Sequence, residues 1–249
     1  MAAGAYVPNL GVRETVEAVW HCKEAGYRRI KVEIRPHTAF QRIRALRQVF
    51  PDSALAVRAG MSFTPSDIEE LKALDTLGIS WIEDPIAPNE GESKQSFFAR
   101  LSELQKQFRM PICVCNSIES LSDAYEVLKH HNLCCIALDV NKLGGIRHTL
   151  DFVRRASKAG VYVWMDGSNA FGLIRRVCAA FQTLSIVTDA GDIGSVCRRR
   201  EPDLFVPLYA AERGVVSINR NAYGFGIGCE LDRTSLEPLL CCSKVLRAE

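Results

Sequence analysis

Residues 29–35 read RIKVEIR, an alternation of apolar and charged side chains with the period of a β-strand. The three apolar side chains share one face, and Lys31, Glu33 and Arg35 share the other. A strand in a parallel sheet is covered on both faces, so charges on the inward face need partners inside the fold. This stretch therefore predicts a buried polar site on a sheet rather than an ordinary core strand.

Short apolar or β-branched runs of this kind alternate with amphipathic stretches of helical length along the whole chain, which is typical of βα units. The predicted strands are residues 5–10, 29–35, 55–59, 81–83, 112–115, 135–139, 161–165 and 185–187. Such a repeat predicts an α/β fold of the TIM-type (β/α) barrel class, because no glycine-rich dinucleotide fingerprint follows the first strand. We expect one domain over residues 1–249, with the barrel at about 4–195 and a C-terminal segment, 196–249, packing on it.

Composition narrows the functional classes. The 249 residues are 47% hydrophobic, and 31 Lys and Arg against 29 Asp and Glu leave a net charge of +2. This near-neutral balance gives no electrostatic reason to expect nucleic acid or a membrane as partner. The ten cysteines form no C-x-x-C pair, and no signal peptide or long apolar run is present. We therefore expect reduced, largely buried thiols in a cytoplasmic protein.

Polar side chains stand at the ends of successive predicted strands. They are Glu33, Arg58, Glu83, Cys115 with Asn116, and Asp139, and Asp166 follows the seventh strand. The carboxyl ends of parallel strands meet at one face of a barrel, where barrel active sites are built. The cluster predicts a functional site at that face. An internal salt-bridge network that merely fills the barrel is the alternative interpretation.

Several segments resemble the enolase superfamily, and in particular its o-succinylbenzoate synthase and N-acylamino acid racemase branch. The likeness extends from about residue 4 to residue 232. It is carried by residues 26–31 (GYRRIK), 82–85 (IEDP) and 142–146 (KLGGI), with further landmarks in order at 163–164, 191–193 and 226–228. The resemblance implies an enolase-superfamily-like barrel.

In that family, three carboxylates at the ends of the third, fourth and fifth strands hold Mg²⁺, and a lysine on the second or sixth strand removes an α-proton. The resemblance implies that one ligand, Glu83, is retained, while Arg58 and Cys115 stand at the other two ligand positions. Glu33 and Asp139 stand where the two lysines would be. We therefore expect the ancestral racemase or dehydratase activity to be absent, with no metal and no other cofactor bound.

The replacements are polar or reactive rather than apolar, which suggests a site in use, since unpaired buried charge is costly. We hypothesise a metal-independent acid/base isomerase, lyase or cyclase acting on a small organic molecule whose polar group Arg58 holds. The expected catalytic residues are Glu33, Arg58, Glu83, Asp139 and Cys115, and the expected substrate-binding residues are Lys31, Asn116 and Asp166. Close carboxylates should separate in pKa, giving one acid and one base.

Alternatives remain open at this point. The chain could be a non-catalytic pseudoenzyme barrel that binds a ligand or a partner, with Arg58 neutralising its neighbours for stability. The carboxylates could hold a cation in a rearranged site, although Arg58 opposes this. Cys115 could be a nucleophile, because a guanidinium stabilises a thiolate. The run at residues 198–200, three arginines, could hold an anionic group or form a solvated loop.

Family members carry a separate N-terminal capping domain over the barrel mouth, and here the first strand comes almost at once. We therefore expect a homodimer or a separate capping partner chain, with residues 231–249 as a candidate contact. Small molecules are the other expected partners.

Overall fold

The computed structural model describes residues 2–167, 172–194, 204–207, 211–218 and 228–241. Seven parallel strands form one sheet in the order of the chain. They are β1 (Gly4–Val7), β2 (Arg29–Glu33), β3 (Ala54–Arg58), β4 (Ile82–Glu83), β5 (Ile112–Val114), β6 (Cys135–Leu138) and β7 (Tyr162–Met165). All seven overlap predicted strands, which confirms the βα repeat.

Helices follow the strands and cover one face of the sheet. They are α1 (Val12–Glu24), α2 (Ala39–Val49), α3 (Ile68–Asp75), α4 (Lys94–Gln105), α5 (Leu121–Val127), α6 (Ile146–Lys158), α7 (Gly172–Gln182) and α8 (Arg233–Leu236). A 3₁₀ turn, Pro65–Asp67, precedes α3, and another, Glu237–Leu239, follows α8. A two-stranded antiparallel pair joins β8 (Phe205–Val206) to β9 (Glu230–Leu231).

The two faces of the sheet have separate cores because strand side chains alternate. On the helix-covered face, Ile30 and Val32 are buried in a large cluster with helix residues such as Ile43 and Leu46. The opposite face holds a smaller cluster of Ala56, Trp81, Cys113, Cys115, Cys135, Ala137 and Trp164. Small side chains and two indoles on this inner face leave room for the charges of β2, as the alternation in residues 29–35 predicts.

The eighth strand is not where the sequence predicts it. Residues 185–187 lie in turns after α7, and Val187 N–H donates to the Leu184 carbonyl at 3.0 Å. Hydrogen bonding to β7 begins at Thr188, whose N–H donates to the Val163 carbonyl at 3.0 Å. Further along, Gly191 bridges to Ala3 and Asp192 bridges to Asp166. These two residues thus link the first and last strands of the sheet.

Residues 186–187 are β-branched, which is why the sequence predicts a strand there. The residue that bridges to β1 is instead a glycine, whose backbone lies in close contact with its neighbours. A Cβ on Gly191 would lie 3.0 Å from the Met165 carbonyl oxygen and 2.9 Å from the Gln182 side chain. Glycine avoids this crowding, which a larger side chain would relieve only by displacing Gln182 or the backbone.

The described cysteines are all free, and five of the eight are buried, as expected for reduced thiols. Within the described ranges, the helices are all too short or too polar to cross a membrane.

Replacement of Gly191 by alanine should destabilise the fold by about 1–3 kcal/mol, because the added methyl group meets backbone and an already hydrogen-bonded side chain. Urea unfolding followed by circular dichroism measures the loss. Gly11→Ala is the matched control, since its Cβ meets only the flexible end of Glu14. Equal stability of the two variants would contradict the tight contact at Gly191.

Candidate functional site

A buried ion network lies beneath the carboxyl ends of the strands. Lys31 Nζ donates to Glu83 Oε2 at 2.7 Å and also pairs with Asp192. Arg58 Nε donates to the other Glu83 oxygen, Oε1, at 2.9 Å. Arg29 Nη1 binds Asp192 Oδ1 at 2.7 Å. Three cations from β2 and β3 therefore enclose two carboxylates, one from β4 and one from the segment that links the sheet edges.

The parallel register explains how these side chains meet. Glu33 pairs with Arg58 between β2 and β3, and Arg58 pairs with Glu83 between β3 and β4. Residues in register on one face of a sheet are direct neighbours. The sequence prediction that polar strand ends converge is correct for these three residues.

Aromatic rings form the base of the network. Trp81 and Trp164 stack with their centroids 5.2 Å apart. Lys31 Nζ lies 4.7 Å from the Trp164 ring centre, and the Arg29 guanidinium lies 5.1 Å from it. Cation–π attraction thus adds to the ion pairs in holding charge inside the barrel.

The protonation state of each group in the network depends on the charged side chains that it contacts. Burial disfavours the ammonium of Lys31, but Asp192 and Glu83 outweigh burial and raise its pKa. Burial likewise opposes the ionisation of Asp192, but Lys31 and Arg29 lower its pKa. Burial raises the pKa of Glu83, with the charge of Lys31 opposing that effect. Lys31 is therefore held as a cation and cannot serve as a general base at neutral pH.

Arg58 is the member of the network that reaches the mouth. Its side chain is 17% exposed, whereas that of Glu83 is 1% exposed. Glu83 takes the Nε–H of Arg58 and so fixes the side chain, while the end of the guanidinium that carries both terminal nitrogens is a second edge with further donors.

The expected ring of three carboxylates around Arg58 is only partly formed. Glu33 contacts Arg35, and Arg35 also donates to the Ile34 carbonyl at 2.9 Å. Arg35 lies beyond the end of β2, with its side chain 40% exposed, so it is not inside the barrel as the alternation suggested. Asp139 is half-buried after β6 and accepts the Asn141 N–H at 2.9 Å, so its own loop holds it.

The end of β5 brings a thiol to the site. Cys115 is buried, and its Sγ donates to Asp166 Oδ2 at 3.6 Å. Burial raises the pKa of Cys115 well above its ordinary value, and Glu83 and Asp166 raise it further. The thiol is therefore protonated and a weak nucleophile at neutral pH. Asn116 follows it and is half-buried.

Asp84 was not among the predicted site residues. It is buried and follows Glu83 directly, with a left-handed backbone (φ 45°). Its carboxylate accepts the N–H groups of Cys115 and Asn116 at 3.0 and 2.8 Å. The sequence feature that could have indicated Asp84 is its position in segment 82–85, one of the segments that resemble the enolase superfamily. Asp192 and Arg29 were also missed, because their pairing joins positions 163 residues apart.

One group of side chains has the spacing of a metal site. The ligand atoms of Glu83, Asp84 and Cys115 lie within 4.8 Å of one another. However, both oxygens of Glu83 already bind cations, both oxygens of Asp84 accept backbone N–H groups, and the third donor is a thiol. Mg²⁺ requires oxygen ligands in an octahedron. These three residues do not fit that ion. The arginine run at 198–200 lies outside the described residues.

Seven parallel strands in chain order, with an ionic site at their carboxyl ends, define a barrel-like α/β domain. Residues 12–235 match the enolase C-terminal domain-like family, so the chain belongs to that family. The expected resemblance is confirmed.

Known relatives are similar over most of this chain. An o-succinylbenzoate synthase of Geobacillus stearothermophilus is 30% identical over 92% of this chain and 60% of its own length. An N-succinylamino acid racemase of Thermus thermophilus is 28% identical over 88% of this chain and 57% of its own length. A crystal structure described as an unknown member of the enolase superfamily from Enterococcus faecalis is 26% identical, and the match covers 95% of this chain and 62% of that one with a TM-score of 0.83. The chain thus spans about 60% of the length of such relatives.

Replacement of Lys31 by methionine should lower the free energy of unfolding by about 3–5 kcal/mol, because Glu83 and Asp192 would lose a shared buried cation. Chemical denaturation measures the change. The control Lys72→Ala removes an exposed ion pair with Glu69 and should cost at most about 1 kcal/mol. A loss in Lys31→Met no larger than in the control would show that the network does not stabilise the fold.

Proposed function

We propose that this chain is a metal-independent acid/base catalyst, an isomerase, lyase or cyclase, that acts on a small organic molecule. The observation that carries the proposal is the double engagement of Glu83 by Lys31 and Arg58. A divalent cation at this carboxylate would have to displace two positive side chains or lie beside them. Coulomb repulsion in a buried site opposes both arrangements.

In this proposal Arg58 supplies the positive charge that stabilises a developing anion. Burial disfavours its charge, but Glu83 outweighs burial and raises the pKa of the guanidinium. The outer edge of a guanidinium donates two parallel hydrogen bonds to an oxygen pair such as a carboxylate. Because Glu83 fixes the side chain through Nε, those donors are already oriented before a substrate arrives. Lys31 supports binding indirectly by holding Glu83.

Proton transfer is assigned to the carboxylates at the mouth. Glu33 ends β2, Asp139 follows β6 and Asp166 follows β7, so they would approach a substrate on Arg58 from different sides. A carboxyl group within hydrogen-bonding distance of a substrate can accept or return a proton during the reaction. Cys115 acts as a neutral hydrogen-bond donor to Asp166 rather than as a nucleophile.

A non-catalytic role is the second candidate, and one observation favours it. At the base of the ion network, Lys31 and Arg29 both pair with the buried Asp192, so these charges are partnered within the fold. Such a network stabilises a barrel whether or not chemistry follows. In that case, Arg58 would bind a ligand or a partner group without turnover.

No α-proton exchange is expected when the protein is incubated with an N-succinylamino acid and Mg²⁺ in deuterated water. The reason is that Glu33 and Asp139 stand where the family's lysine bases would be and Arg58 opposes the metal. Proton NMR of the substrate measures the exchange, and a lysine-containing racemase of the family serves as positive control. Exchange clearly above the protein-free rate would show that metal-dependent chemistry persists.

Small organic acids can be screened for uptake of solvent deuterium in the presence of EDTA. Arg58→Ala is expected to abolish any turnover found in this screen. The chain should stay folded, because Glu83 still pairs with Lys31. Arg58→Lys is the matched control: it keeps the charge and loses the paired donors, and should fall at least about 100-fold. Mass spectrometry measures uptake, and circular dichroism checks folding. Unchanged turnover in Arg58→Ala would remove Arg58 from the mechanism. No uptake from any acid would contradict catalysis and favour the binding role.

A further inference from the structure

Asp84 joins the ends of three neighbouring strands at the site. Its backbone N–H donates to the Cys113 carbonyl at 3.0 Å, and its own carbonyl accepts the Met61 N–H at 2.6 Å. Both Asp84 and Met61 have a left-handed backbone, with φ of 45° and 62°. Such backbone conformations are unfavourable for residues other than glycine, and persist where the surroundings enforce them.

The carboxylate of Asp84 is used entirely on the loop that follows β5. One oxygen accepts the Cys115 N–H at 3.0 Å and a longer contact from the Ser117 hydroxyl at 3.4 Å, and the other accepts the Asn116 N–H at 2.8 Å. Asp84 as a whole is 2% exposed. Hydrogen bonds from N–H groups to a buried carboxylate are the strong, charge-assisted kind.

We infer that Asp84 is a positioning residue that fixes the backbone of residues 115–116 and thereby holds Cys115 against Asp166 and Asn116 at the mouth. The importance of Asp84 to a reaction rests on the proposed function. The hydrogen bonds that Asp84 makes do not depend on that proposal. The Cys115 and Asn116 N–H groups go to different oxygens of the carboxylate. An amide would place an NH₂ donor at one of these two positions, so it cannot accept both N–H groups in this geometry.

The test is Asp84→Asn in the full chain. Asparagine keeps the size of the side chain and tolerates the left-handed backbone, but it loses the negative charge and one of the two acceptor oxygens. Alkylation by iodoacetamide at fixed pH is followed by peptide mass spectrometry at three buried thiols. Labelling of Cys115 should rise at least about tenfold, the smallest factor expected when a hydrogen bond to a charged group is lost. Labelling of Cys113 and Cys178 should not change.

The two reference thiols separate positioning from general stability. Cys113 lies on the same strand and Cys178 on α7, and both are fully buried. A parallel rise at all three thiols would show that Asp84 only supports the fold, and no rise at Cys115 would show that it does not hold the loop. Ser117→Ala, which removes only the longer contact, is the control variant and should leave the labelling of Cys115 within about twofold.

If Asp84→Asn does not fold, amide hydrogen exchange of the unchanged chain tests the inference instead. The amides of residues 115 and 116 should exchange as slowly as those of β5, although they lie beyond the strand. Exchange at the rate of an open loop would overturn the inference. If the labelling result is obtained and no turnover is ever found, the positioning role stands and the proposed function fails.

Discussion

The Glu83 carboxylate, buried and held between Lys31 and Arg58, is the interaction on which the rest of the site depends. A carboxylate that is 1% exposed requires cations within hydrogen-bonding distance, because removing one partner of a buried pair costs several kcal/mol. Those cations come from the two preceding strands. The register between β2, β3 and β4 is therefore constrained, since a one-residue slip would turn these side chains to the opposite face.

The same network ties the site to the closure of the sheet. Asp192, which pairs with Lys31 and Arg29, is also the residue that bridges to Asp166 after β7. Gly191 beside it bridges to Ala3 before β1. Charge compensation inside the barrel and backbone pairing at its seam thus depend on adjacent residues. A change that disturbs one should disturb the other.

The sequence predicts correctly the features that follow from strand periodicity and strand order. It does not predict features that depend on local backbone geometry or on pairing between distant residues. Alternation in residues 29–35 correctly indicates that Lys31 faces a polar interior, and strand ends correctly bring Arg58 to Glu83. Arg35 breaks the alternation because β2 ends at Glu33. The eighth pairing begins at Thr188 rather than in the run at 185–187, because the chain is still turning after α7 there and the Val187 N–H is bound to the Leu184 carbonyl. The role of Asp84 was not predicted, because it depends on a left-handed backbone conformation that the residue type does not indicate.

Arginine and a divalent metal stabilise anions in different ways, and the difference has consequences for the proposed chemistry. A metal ion accepts oxygen ligands from several directions, whereas a guanidinium carries one charge and directs its hydrogen bonds within a plane. Arg58 is further restricted because Glu83 fixes one edge of that plane. A substrate must therefore present its oxygens in the plane of the exposed edge, which narrows the range of molecules that fit. Since arginine stays protonated wherever carboxylates titrate, the positive charge that Arg58 presents does not change over that pH range.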